Sequence, residues 1–148
     1  MKKNRFLLPV AVHLFLLNED KILLSRRYHT GYEDGNYSLV AGHIDGGETI
    51  VQAMIREARE EIGINIFSED IKITLVMHRK SEDERIDYFL HCDKWQGEIK
   101  IMEPDKCDNL EWFPINNLPS NTIPYIARAI KKYLHGINFD TFGFEVIS

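Results

Sequence analysis

Between Val51 and Ile62 a single stretch of helical periodicity carries two faces that need different partners. At about 100° per residue, Val51, Met54, Ile55, Ala58 and Ile62 form one apolar stripe, while Glu57, Glu60 and Glu61 gather on the face beside it. Spacings of three and four residues bring those carboxylates together, so like charges repel where a surface helix is normally stabilised by Glu paired with Lys. The stripe requires a core, and the acidic face requires a cation. Clusters of hard oxygen ligands suit Mg²⁺ or Mn²⁺, and magnesium sites combine a few carboxylates with waters and substrate phosphates. The competing reading is a solvated acidic face supported by Arg56 and Arg59.

The rest of the chain supplies the core that this helix needs. Strands are expected near residues 6 to 17 and 21 to 27, followed by a turn-rich loop from Thr30 to Asn36. A short strand, Tyr37 to Val40, enters the glycine-rich stretch from Gly42 to Gly47, and helical periodicity then runs to Ile62, with Gly63 as its stop. Ile71 to Arg79 and Ile86 to Cys92 read as a hairpin across the polar turn from Ser81 to Glu84. Leu110 to Phe113 adds a further strand, and Thr122 to His135 a second amphipathic helix with Pro124 in its first turn and Gly136 at its end. The last dozen residues carry no pattern. A chain of 148 residues is one ordinary domain. Strands interleaved with two helices make it an α/β protein with a mixed sheet covered on both faces, residues 1 to 148 forming a single domain.

The acidic helix sits in a fixed frame. Five residues separate Gly42 from Glu48 and seven more lead to Arg56-Glu57; Ala58, Glu60-Glu61, Gly63 and Ile64 follow at set intervals. This pattern resembles the Nudix box, and chance agreement of seven fixed residues is on the order of once in 10⁸ starts. Ala58 is smaller than the aliphatic residue usual in that family, and Val40-Ala41-Gly42-His43 replaces its more common Pro-Gly-Gly. The resemblance implies a Nudix fold, an α/β/α sandwich in which loop, helix and loop form a metal site. It further implies that Glu57, Glu60, Glu61 and the Gly42 carbonyl hold a divalent metal, Mg²⁺ or Mn²⁺. Glu48 and Arg56 then support the loop and orient the carboxylates. The implied activity is hydrolysis of a nucleoside diphosphate linked to another group.

Outside the box the chain is similar to the MutT-like pyrophosphohydrolases, which convert nucleoside triphosphates, some of them oxidised, to monophosphate and pyrophosphate. Under that resemblance Arg27, at the end of the second strand, contacts substrate; the alternative is a solvated strand end. Arg85 offers a guanidinium fork to phosphate, or pairs with neighbouring acidic residues. Glu103 matches an additional carboxylate used as ligand or base, with Asp105 and Asp108 as competitors in the same loop. Asn121 matches a base-contacting amide, and equally suits a helix N-cap. Trp112 and Phe113 read as base-pocket wall or as core. Within the same family the alternatives are ADP-ribose, dinucleoside polyphosphate or sugar-nucleotide pyrophosphatases. A non-catalytic nucleotide sensor and an isoprenyl diphosphate isomerase are further readings, the last lacking its expected cysteine and histidine arrangement.

Charge and cysteine usage narrow the setting. Eighteen Lys and Arg against twenty-three Asp and Glu give a net charge of -5, the wrong sign for coating nucleic acid by counterion release. The expected partner is a small nucleotide, with metal supplying positive charge, and neither nucleic acid nor membrane. Cys92 and Cys107 stand fifteen positions apart without a CxxC pairing and fit free thiols in a reducing compartment. Lys2, Lys3 and Arg5 precede an apolar run that superficially resembles a signal peptide, but His13 interrupts it and no small-residue cleavage site follows. The expected location is the cytoplasm. Oligomeric state is not encoded in any of these features.

Overall fold

The structure is a computed structural model, and it describes residues 4–144; Lys2 and Lys3 of the basic flank lie outside the described residues. Strand β1 (Val10–Asn18) runs through the middle of the molecule and turns at Glu19 and Asp20 into β2 (Lys21–Arg27). Two short strands, β3 (Tyr37–Ser38) and β4 (Val40–His43), lead to helix α1 (Ile50–Ile62). The hairpin β5 (Lys72–Lys80) and β6 (Glu84–Cys92), strand β7 (Cys107–Pro114), helix α2 (Pro124–Leu134) and strand β8 (Phe139–Phe142) complete the order.

The strands form two leaves. One runs β4, β1, β6, β5, β8, with β1–β6 and β5–β8 parallel and the other pairs antiparallel. The other is the antiparallel set β3, β2, β7. Among the described residues, strands of the two leaves pair with each other only beside the β1–β2 turn, where Leu17 faces Ile22 and Asn18 faces Lys21. Beyond those two pairs β1 takes β4 as its neighbour while β2 takes β3 and β7, so the leaves part toward the N-terminal end of β1.

Alternation along β1 explains how one apolar run serves two cores. Val12, Leu14 and Leu16 face α1 and pack with Met54, Ala58, Ile62 and Leu90. Phe15 and Leu17 face the opposite side and pack with Phe89, Ile126, Ala129 and Ile130 beneath α2. A helix thus covers each face of the sheet, as the α/β/α expectation requires. Helix α1 begins with a capping box: Gln52 N–H donates to the Thr49 hydroxyl at 3.1 Å, and Thr49 N–H donates to the Gln52 side chain at 2.9 Å. It ends at Gly63, left-handed at φ 72°, whose N–H bonds the Arg59 carbonyl.

Several boundaries differ from the sequence expectation for local reasons. The first strand starts at Val10, not residue 6: Phe6 and Leu7 are exposed, and the Pro9 carbonyl receives the Ile86 N–H. The strand expected at Tyr37 to Val40 is broken at Leu39, because its halves pair with different leaves. Strand β7 begins three residues before Leu110, and β8 lies in the stretch without pattern, as a four-residue edge strand beside β5. Trp112 and Phe113 pack against the two cores and do not line the cleft described below. No helix among the described residues is long and apolar enough to cross a membrane.

Gly63 needs a glycine for its left-handed backbone, and an added Cβ would also meet Met102 Sδ at 3.1 Å. Gly63→Ala should lower unfolding free energy by about 1 kcal/mol or more. Gly46→Ala, which meets open space without a left-handed φ, should change it by only a few tenths. Urea denaturation of the two variants checks the contrast.

Candidate active site

Where the leaves part, a cleft of about 940 Å³ opens between them. One wall is the Ala41–His43 end of β4 with Glu57, Glu60 and Glu61 of α1 behind it. The opposite side is built from Arg27 at the end of β2 and from His29, Thr30 and Tyr32 on the β2–β3 connection, while the segment from Glu103 to Cys107 enters beside the acidic helix, where the Met102 N–H bonds the Glu61 carbonyl at 3.0 Å. Arg79 to Arg85, around the β5–β6 turn, closes a third side, and Tyr125 of α2 with His13 of β1 lies at the base.

The acidic helix is tied to its loop by one guanidinium. Arg56 Nε donates to Glu48 Oε2 at 3.0 Å and Nη2 to Glu48 Oε1 at 2.7 Å, the two-pronged geometry that suits Arg to carboxylate. Nη2 also reaches the His43 carbonyl at 3.1 Å, while Nη1 donates to Glu57 at 2.7 Å and to Glu60 at 3.3 Å. Glu48 in turn accepts the Asp45 N–H at 2.7 Å. Hydrogen bonding from Arg56, and then from that N–H, holds the Glu48 carboxyl down at about 2.

Glu57 and Glu61 experience the opposite pressure. Burial pushes the Glu61 carboxyl well above its ordinary range, and the charge of Glu57, hydrogen bonding with it and the charge of Glu103 push the same way. Only the Ala41 N–H, donated to Glu61 Oε2 at 3.0 Å, opposes the rise. Burial also raises Glu57, against the pull of Arg56. A Cβ at Gly42 would collide with the Glu57 carboxylate, so glycine there leaves the space that this side chain fills. Two part-buried carboxylates that resist joint ionisation, beside a backbone carbonyl and a solvent-open third carboxylate, form a donor set of the hard-oxygen kind that fits Mg²⁺ or Mn²⁺. Among the described residues no three acidic, His or Cys side chains already encircle a cation, since Arg56 draws Glu57 and Glu60 toward itself.

Of the residues singled out in sequence, Gly42, Glu57, Glu60, Glu61, Glu103, Arg27 and Arg85 all line the cleft. Glu48 and Arg56 stand behind it as the clamp. Arg27 spends Nε on the Tyr32 carbonyl at 2.6 Å and lies over the Tyr32 ring. Arg85 is forked onto Asp83 at 3.0 and 2.9 Å. Asp105 lines the cleft, whereas Asp108 pairs with Arg26 at 2.7 Å outside it. Asn121 is not among the lining residues and does not cap α2, whose N-cap is Ile123; its amide donates to the Gly35 carbonyl at 2.9 Å. It fastens the β2–β3 connection to the segment before α2. Cys92 is buried and Cys107 half-buried, both as free thiols. The sequence reading passed over His13, Arg79 and Tyr125 at the base of the cleft. The available signal was His13, a titratable side chain inside the apolar run of β1; Arg79 and Asp87 stand among other charged residues of β5 and β6.

The NUDIX domain family model matches residues 7–134. Among curated proteins, the chain is 31% identical over 144 residues to the ADP-ribose pyrophosphatase of Methanocaldococcus jannaschii, covering 93% of this chain and 81% of that one. It is 30% identical over 115 residues to the NAD-capped RNA hydrolase NudC of Stutzerimonas stutzeri, covering 78% of this chain but only 38% of that relative's length. Among solved structures, the MutT NUDIX hydrolase from Burkholderia pseudomallei superposes with a TM-score of 0.78 at 23% identity, covering 85% of this chain and 98% of that one. The MutT protein from Bacillus halodurans gives 0.74 at 19% identity, covering 95% of both chains. These two likenesses bear on fold alone, and the fold they share is the α/β/α arrangement described above. With the box frame, the two-leaved sheet and these matches together, the chain belongs to the NUDIX domain family.

Proposed function

We propose that this chain is a divalent-metal-dependent pyrophosphohydrolase that cleaves a phosphoric anhydride bond in a nucleoside diphosphate-linked compound. The observation that carries the reading is the Glu57–Glu61 pair, part-buried against Gly42 and opening on the cleft. Glu57, Glu60, Glu61 and the Gly42 carbonyl would hold Mg²⁺ or Mn²⁺; the bound ion supplies charge neutralisation at phosphate oxygens and a more acidic water. Glu48 and Arg56 keep the loop and helix in register so that these oxygens face the substrate. Glu103 and Asp105, on the segment that leaves the acidic helix at Met102, are the candidates to take a proton from water. Arg27 and Arg85 offer their remaining guanidinium N–H groups to phosphate. A single catalytic domain in the reducing cytoplasm, acting on small nucleotides, completes the reading.

ADP-ribose and similar linked diphosphates are the first substrate class, supported by the archaeal relative that aligns along most of both chains and by the position of Asn121 away from the cleft. Nucleoside triphosphates, oxidised ones included, are the second, supported by Arg27 and Glu103 on the cleft walls. Incubation with Mg²⁺ and a panel of triphosphates, ADP-ribose, dinucleoside polyphosphates, sugar nucleotides and NAD-capped RNA, with products separated by chromatography, decides between them. AMP plus ribose 5-phosphate from ADP-ribose supports the first class, and monophosphate plus pyrophosphate supports the second. Binding without cleavage of any compound would make the protein a nucleotide sensor.

Glu61→Gln and Glu60→Gln should each lower kcat/KM about a thousandfold or more, on the order of 4 kcal/mol of transition-state stabilisation. Retention of full activity by either folded variant would overturn the metal assignment. Stability provides a separate check. A carboxyl raised in the folded state contributes stability that is complete below the unfolded pKa, roughly 4.3, and is lost as pH rises through the folded value. The metal-free protein should therefore lose thermal stability above about pH 5, and Mg²⁺ should restore it increasingly as pH rises. Glu61→Gln should raise the metal-free Tm at neutral pH and flatten the pH dependence. Differential scanning calorimetry with and without Mg²⁺ measures both effects.

A further inference from the structure

The base of the cleft holds a buried polar array in which His13, Asp87 and Arg79 are 3%, 0% and 4% exposed. His13 Nε2 lies 2.9 Å from Asp87 Oδ1. Arg79 Nε donates to Asp87 Oδ2 at 2.7 Å, Nη2 reaches Oδ1 at 3.4 Å, and the guanidinium carbon lies 3.6 Å from the centre of the Tyr125 ring. His13 stacks on Phe89 with ring centroids 4.6 Å apart and meets the edge of Tyr125 at 5.8 Å. Burial alone would raise the Asp87 carboxyl, but its hydrogen bonds and charge contacts with His13 and Arg79 hold it down at about 2. Asp87 is therefore an acceptor only, so Nε2 is the donor of that contact, and in the tautomer this selects Nδ1 is an acceptor.

Nδ1 of His13 is the one buried side-chain nitrogen or oxygen without a hydrogen-bond partner among the described residues. Leaving such an atom unsatisfied costs on the order of 1–3 kcal/mol, and an apolar residue among Phe15, Phe89 and Tyr125 would avoid that cost. His13 and Arg79 line the cleft, and Asp87 stands behind them. The Arg79 guanidinium balances the Asp87 carboxylate, and in that tautomer the lone pair at Nδ1 repels phosphate oxygens. Its complement is a neutral, flat group that carries N–H. The strand pairing places this group close to the acidic helix: His13 faces Ala41 across the β1–β4 ladder, and the next residue is Gly42, against which Glu57 rests.

We propose that His13 reads the nucleobase of the substrate, its Nδ1 accepting a hydrogen bond from an N–H on the edge of the base, with Asp87 and Arg79 as the positioning residues that fix its tautomer and orientation. This deepens the proposed pyrophosphohydrolase reading and rests on its assumption that the ligand is a nucleotide. Binding separates the two ideas, because monophosphates have no anhydride bond to cleave. Titration calorimetry in Mg²⁺ with AMP, GMP, CMP, UMP and, as a probe without a base, ribose 5-phosphate should show at least one monophosphate binding tenfold or more tighter than ribose 5-phosphate. His13→Leu should erase most of that preference while leaving ribose 5-phosphate affinity within about twofold, and His13→Gln, which keeps an acceptor, should recover part of it. Equal weakening of all five probes by His13→Leu, or no base preference in the unsubstituted protein, would overturn the proposal.

A measurement on the unsubstituted protein guards against a variant that fails to fold. With ¹⁵N-imidazole labelling, the His13 Nδ1 resonance should start at an unprotonated position and shift with the preferred monophosphate but not with ribose 5-phosphate; an unmoved resonance would also overturn the proposal. Asp87→Asn should move the proton from Nε2 toward Nδ1, a spectral change that a purely structural Asp87 would not produce. If no substrate is cleaved while monophosphates are still discriminated through His13, the catalytic reading fails and the base-reading assignment stands.

Discussion

One guanidinium holds the candidate active site in shape. Arg56 joins the loop after β4, through Glu48 and the His43 carbonyl, to the acidic face of α1, through Glu57 and Glu60. Without it, Glu57 and Glu60 would lose their tie to the loop, while the Ala41 N–H still holds Glu61. Lys would retain the charge, yet a single ammonium cannot reproduce a fork on Glu48 together with three further contacts. The clamp also divides the carboxylates by function. Glu48 is held ionised by its partner, whereas Glu57 and Glu61 are left in an environment that favours a proton or a cation. Neighbouring side chains of one chemical type thus acquire opposite tendencies from burial and charge alone.

The sheet provides the frame for that clamp. Alternation in β1 sends even-numbered apolar residues to the α1 core and odd-numbered ones to the α2 core, so the strand is buried on both sides. Where the odd-numbered face leaves the α2 core it carries His13, and the packing pattern gives way to a polar array inside the same strand. Asp87 and Arg79 reach that point from β6 and β5 because the hairpin pairs Met77 with Asp87 and His78 with Ile86, placing the two charged residues diagonally on one face.

Much of this was legible in the sequence because the relevant signals are local. The apolar stripe and Gly63 define α1, and the Ser81–Glu84 turn defines the hairpin. The intervals from Gly42 to Ile64 place the carboxylates beside a glycine loop. Other features depend on distant partners and leave little local trace. Strand β8 is four residues long with two exposed positions, and it exists because the edge of β5 is available. The break at Leu39 records a change of neighbour between leaves. Asn121 suits an N-cap or a base contact by type, yet its amide bonds Gly35, eighty-six residues earlier. His13 looked like an interruption of an apolar run, and its meaning emerges only when Asp87 is brought beside it.

The limited join between the leaves has a mechanical consequence. With β1 and β2 sharing only the pairs beside their turn, that corner acts as the spine of a half-open book, and the opposed walls of the cleft are printed on different pages. A change in packing near the spine, at Leu17 or Ile22, would alter the angle between pages without touching a residue of either wall. The gap between the acidic helix and Arg27 can therefore be retuned from the hidden interior, while the Met102 N–H bond to the Glu61 carbonyl keeps Glu103 beside the helix. Descendants of this chain have a route to new substrates that leaves every polar group of the site in place.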